Sequence, residues 1–85
     1  MDVSYTRDAE KTLRKMPPKK AGVILSGMKK VAEAPFAPDK TVTPLQGVRH
    51  GYRKRFGDYR VLYTVETDIE ILQVFKIGPR GDVYK

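Results

Sequence analysis

Cysteine and tryptophan are absent from the 85 residues, and histidine occurs once, at His50. Without thiols the chain can build neither a disulfide framework nor a thiolate metal site, and a reducing compartment suits it. There is also no pair of carboxylates placed for acid-base work, no cluster of metal ligands and no glycine-rich phosphate loop, so no metal or cofactor is expected. No apolar run approaches the roughly 20 residues that span a bilayer, and the start Met1-Asp2-Val3-Ser4-Tyr5-Thr6-Arg7-Asp8 lacks the apolar stretch of a signal peptide. A soluble, cytoplasmic protein without a membrane partner is the expectation. Acidic residues are scarce as well: 10 Asp and Glu stand against 17 Lys and Arg, for a net charge of +7. That imbalance favours nucleic acid, an anionic surface or an acidic protein as partner. The length suits a single domain over residues 1–85, with a thin core, because a chain of this size buries only roughly 60 to 65% of the surface its unfolded form exposes.

What is present falls into a compact order of elements. Val3 to Tyr5 reads as a short strand. Thr6 is placed to cap a helix whose Ala9, Leu13 and Met16 share one stripe, and Pro17-Pro18 ends it. A second helix carries Ala21, Ile24, Leu25, Met28, Val31 and Ala32 at steps of three and four, with most of its lysines off that stripe, and closes at Pro35. Met16 and Met28 read as core. The segment from Pro35 to Gly47 holds three of the six prolines and reads as an exposed loop ahead of a sheet.

The most informative stretch begins at Gly51. With Gly57-Asp58 as a two-residue turn, Phe56 faces Tyr59 and Arg55 faces Arg60, because opposed positions in such a hairpin have a constant summed number. One face then holds Tyr52, Phe56, Tyr59, Val61, Tyr63 and Val65, an apolar surface for the helices. The other holds Arg53, Arg55, Arg60, Leu62 and Thr64. Like charges directly opposed cost some tenths of a kcal/mol. Their convergence points to an anion between them, and phosphate is the natural one.

These residues resemble the RelE/ParE toxin superfamily of bacterial and archaeal toxin-antitoxin pairs, and within it the RelE-like branch. The resemblance rests on Leu13, Lys15 and Pro17 in the helical hairpin, on Pro44-Leu45-Gln46-Gly47, on Gly57-Asp58-Tyr59-Arg60-Val61-Leu62-Tyr63, and on Ile77-Gly78-Pro79-Arg80 with Val83-Tyr84. The ending from Pro79 to Lys85 looks most like archaeal RelE-type toxins. The resemblance implies an α+β fold, with a two-helix hairpin packed on one face of a small, mainly antiparallel four-stranded sheet. It implies an endoribonuclease that cuts mRNA in the ribosomal A site without a metal or small-molecule cofactor. A cognate RelB-like antitoxin, the ribosome and mRNA are its implied partners.

Carried over by position, Arg60 resembles the family's sheet arginine, Arg80 its arginine after the last strand and Tyr84 its C-terminal tyrosine, the three candidate catalytic residues. Arg53 and Arg55 stand where several bacterial members have lysines. Metal-free cleavage by a 2′-hydroxyl needs a base for that proton, an acid for the leaving oxygen and cations for the developing phosphate charge. Arginine suits the last role and is a poor base. Tyr84 is therefore the candidate base, with Lys54 and Lys85 as weaker ones. Arg80 is placed to stabilise or protonate the leaving group. Arg53, Lys54, Arg55 and Lys85 complete the candidate RNA and phosphate contacts.

Blander readings stand beside these. A basic strand face can be simply solvated, Lys54 falls on the apolar side and reads as a stem along the core edge with its ammonium in water, and His50 before a glycine reads as a turn residue. The competing functions are a ParE-like DNA gyrase inhibitor and an inactive RelE-like binding protein.

Overall fold

The computed structural model describes residues 1–79. Its first strand, β1 (Asp2–Tyr5), runs directly into α1 (Arg7–Lys15). Thr6 makes the junction: its backbone is extended, and its side-chain oxygen accepts from the Ala9 N–H at 3.2 Å, satisfying one orphan donor of the first turn. Asp8 and Glu10 in the first turn and Arg14 and Lys15 in the last complement the helix dipole. The chain re-extends at Met16, and Pro18 opens α2 (Pro18–Glu33) at a position where its missing N–H costs nothing.

On α2 the buried line is Ala21, Ile24, Met28 and Ala32. Leu25, expected on that stripe, is 44% exposed, because the sheet covers only one line of this helix. Gly27 faces the sheet, and a Cβ there would run into the Phe56 ring. The amino group of Met1 donates to the Ala32 carbonyl at 3.0 Å, tying the start of β1 to the end of α2.

The described residues form two helices against a five-stranded sheet ordered β1-β5-β4-β3-β2, with β2 at Val42–Pro44, β3 at Gly51–Phe56, β4 at Tyr59–Glu66 and β5 at Ile71–Pro79. All neighbours are antiparallel except β1 and β5. The sheet thus has one strand more than expected. The extra one is β2, inside the proline-rich segment read as loop, where Val42 pairs with Lys54 and Pro44 with Tyr52. Three residues are too few to show a period of two, and proline is tolerated here because β2 is an edge.

Ile24, Met28, Val61, Tyr63, Leu72 and Val74 are the large, fully buried side chains of the core between helices and sheet. A smaller apolar cluster lies apart from it, where buried Leu45 and Leu62 are joined by Val48 and Phe75. Between the pairs Leu62–Lys76 and Tyr63–Val74 the register shifts by one residue, leaving Phe75 as the unpaired residue of a β-bulge. Thr6 holds the bulge from the side, its N–H on the Val74 carbonyl at 3.0 Å and its hydroxyl donating to the Phe75 carbonyl at 3.3 Å.

Candidate functional site

The β3–β4 hairpin follows the expected register. Phe56 pairs with Tyr59, Arg55 with Arg60 and Arg53 with Leu62, and Gly57 takes a φ of 56° in the first turn position, as a type II′ turn requires. Val61, Tyr63 and Val65 belong to the core beneath the helices, with Tyr52, Phe56 and Tyr59 packed against it, whereas Leu62 belongs to the separate cluster. Alternation along the strands therefore puts Arg53, Arg55 and Arg60 on the face away from the helices. Arg60 turns part of its fork back over the turn, Nη1 donating to the Tyr59 carbonyl at 3.3 Å and, at the limit of a hydrogen bond, to that of Gly57 at 3.5 Å. Among the described residues no carboxylate pairs with any of the three; the ion pairs are Lys54–Asp39 and Lys76–Asp8.

Lys54 does not join this group. It lies on the helix side, where Nζ sits 2.8 Å from Asp39 Oδ2, 2.7 Å from Thr41 Oγ1 and 5.0 Å from the centre of the Phe56 ring. Its side chain is only 13% exposed, so its ammonium is held by a carboxylate rather than left in water. The lysine and two hydrogen bonds from Thr41 hold the Asp39 carboxyl far below its usual range. As a phosphate contact or a base Lys54 is thus turned away from the arginines, and the partner that turns it is 15 residues distant.

The sequence model of the family described as "ParE toxin of type II toxin-antitoxin system, parDE" matches residues 3–84. The chain belongs to this toxin family. Among solved structures, the toxin resembles the archaeal RelE-RelB complex from Pyrococcus horikoshii, with 28% identity over 96% of this chain and 97% of that one and a TM-score of 0.81. It also resembles the intact E. coli RelBE toxin-antitoxin complex, at 20% identity, 92% and 94% coverage and a TM-score of 0.78. A YoeB/ParE toxin from Agrobacterium tumefaciens aligns at 18% identity, 94% and 99% coverage and a TM-score of 0.77. The last two identities speak for the fold alone. No curated protein sequence matches significantly. The expected RelE-like fold is thereby established, two helices on one face of a mainly antiparallel sheet.

Three of the toxin's candidate site residues, Arg80, Tyr84 and Lys85, lie outside the described residues. The described part of β5 runs to Pro79, and within it Gly78 pairs with Arg60. Two other phenols, Tyr63 and Tyr5, are shifted the wrong way for a base. Burial pushes Tyr63 up to about 12, with Asp39 and Tyr52 adding to it, and burial raises Tyr5 too. His50 is a turn residue as expected: its φ is 58°, its carbonyl accepts from the Val65 N–H at 3.0 Å, and its Nε2 accepts from Arg49 Nε at 3.3 Å.

What sequence reasoning missed on this face is apolar. Leu45, Leu62, Val48 and Phe75 form a floor beside the arginines. Leu62 was legible from parity. Phe75 was not, since which residues of β5 face the core shows only in its pairing: Leu72 and Val74 turn inward and Phe75 outward, and past the bulge Ile77 turns inward again.

Proposed function

We propose that this toxin is a ribosome-dependent endoribonuclease that cuts mRNA without a metal and is silenced by a cognate antitoxin. The observation that carries the reading is the convergence of Arg53, Arg55 and Arg60, none of them ion-paired among the described residues, on the sheet face opposite the helices. Three guanidiniums there can donate forked hydrogen bonds to the oxygens of a phosphodiester. In the reaction the ribose 2′-oxygen attacks the adjacent phosphorus as its proton passes to the base, the P–O5′ bond breaks, and the 5′-oxygen takes a proton at Arg80 and leaves as a hydroxyl. The products are a 2′,3′-cyclic phosphate and a 5′-hydroxyl end. Arg60 stabilises the charge that develops on the non-bridging oxygens, Arg80 serves the leaving oxygen, and Tyr84 takes the 2′ proton, a role that requires guanidiniums to lower its phenol. Positioning of the message by the ribosome supplies much of the remaining barrier reduction.

The antitoxin proposal rests on the archaeal and E. coli structures named above, which are toxin-antitoxin complexes. The ParE description of the matched family favours a second reading, inhibition of DNA gyrase. One pair of assays separates them. Translating ribosomes treated with toxin should give fragments ending in a cyclic phosphate. Arg60→Ala should slow cutting on the order of 10²-fold, and Tyr84→Phe, which keeps the ring and deletes the hydroxyl, should slow it as well. Full activity of Tyr84→Phe removes Tyr84 as the base. Intact message together with blocked gyrase supercoiling overturns the nuclease reading.

A further inference from the structure

Phe75 occupies the one register shift between β4 and β5. Its ring packs half-buried against Leu45 and Leu62, on the face that carries the three arginines. Leu62 lies across from Arg53 on one side and from Lys76 on the other, so Phe75 stands about two strand spacings, roughly 10 Å, from the β3 arginines. The bulge is braced rather than loose, because Thr6 both caps α1 and hydrogen-bonds the carbonyls of Val74 and Phe75. Bulges re-aim side chains next to working surfaces. Phe75 alternates outward from core Leu72 and Val74, and the bulge then breaks the alternation, so that Ile77, three residues after Val74, returns to the core.

We infer that Phe75 is a stacking platform for one nucleobase of the RNA whose phosphates lie on Arg53, Arg55 and Arg60. The inference rests on the nuclease reading above and adds to it a base contact. An aromatic ring beside a cationic track is the usual arrangement for holding single-stranded nucleic acid: the track neutralises the backbone, and the ring accepts a base of any identity. The ring packs against the buried pair Leu45 and Leu62 and keeps part of its surface exposed. Across the hairpin the opposed Arg55 and Arg60 gain from a group that carries charge on several oxygens at once, as a phosphodiester does. Phe75 thus sets which nucleotide stacks, while the arginines set where its phosphates rest.

The test uses the whole toxin at low salt and a short single-stranded RNA carrying 2-aminopurine, followed by fluorescence and anisotropy. Wild type and Phe75→Tyr should quench the base and bind alike. Phe75→Leu should lose the quenching and about tenfold in affinity, the size of one base stack, with the salt dependence unchanged because no phosphate contact is lost. As a control that needs no variant, an abasic oligonucleotide of equal length should bind wild type about tenfold more weakly. If the abasic and natural strands bind equally, or if Phe75→Leu matches wild type while Arg60→Ala is weakened, the stacking inference is overturned and the phosphate track stands. Absence of any RNA binding by the wild type overturns both. Loss of affinity for an acidic peptide in Phe75→Leu, with RNA binding intact, reassigns the platform to a protein partner and also ends the inference.

Discussion

Arg55 and Arg60 meet across the hairpin with like charge, and Asp39 meets Lys54 fifteen residues away with opposite charge. The two pairs show how one short strand separates its cations. Odd-numbered Arg53 and Arg55 go to the open face, where solvent or a ligand must neutralise them. Even-numbered Lys54 goes to the edge of the core, where Asp39 neutralises it and Thr41 accepts a hydrogen bond from it. This lysine pair carries a pH consequence. The folded protein holds Asp39 ionised to a lower pH than the unfolded chain does, so its contribution is complete above the ordinary carboxylate pKa of 3.8 and is lost as pH falls through the lower folded value. Solvent screens the pair, which limits the effect to about 1 kcal/mol. Acid unfolding monitored by circular dichroism should show the wild type losing this increment below about pH 4, and Asp39→Asn should lack it while being less stable at pH 7. Identical acid limbs for the two proteins would show that the ion pair contributes nothing to folding.

At the scale of elements, α2 and β3 approach closely where Gly27 meets Phe56. Gly27 admits the Phe56 ring where any Cβ would overlap it, and Phe56 is the residue that leads into the Gly57-Asp58 turn. Gly27→Val should therefore destabilise the fold by about 2 kcal/mol, since overpacking exceeds what the helix gains by losing a glycine. Urea denaturation measures this directly, and a midpoint at or above that of wild type would refute the steric account. The same elements show what a sequence can and cannot disclose. The hairpin was readable because a two-residue turn fixes every pairing across it, and the placement of three arginines followed. The caps and stripes of both helices were readable from local chemistry, apart from Leu25, whose exposure depends on how far the sheet reaches. β2 was hidden by its brevity and its proline. The bulge at Phe75 was hidden because nothing in Gln73-Val74-Phe75-Lys76 announces a lost pairing; it follows from two strands meeting out of step. The grip of Asp39 on Lys54 was hidden for a similar reason, being a contact made only once β2 lies beside β3.

For the whole molecule, the net charge is +7, and on the open sheet face Arg53, Arg55 and Arg60 have no ion-paired carboxylate among the described residues. Such a surface attracts RNA by neutralising phosphates, and it attracts an acidic protein segment for the same reason. If the antitoxin silences the toxin by occupying this face, an extended segment with acidic and apolar groups would cover the arginines and the floor of Leu45, Leu62 and Phe75. Antitoxin and RNA must then exclude each other. Titrating labelled single-stranded RNA off the toxin with antitoxin should displace it at one equivalent. Raising salt should weaken both complexes, and the RNA complex more steeply, because a polyanion releases condensed counterions that a peptide does not hold. Arg53→Ala combined with Arg55→Ala should lower the affinity for both ligands while leaving the hydrophobic contribution of the antitoxin in place. A stable ternary complex of toxin, antitoxin and RNA would place the antitoxin elsewhere, and silencing would then have to act through the helices or the chain end rather than by covering the arginines.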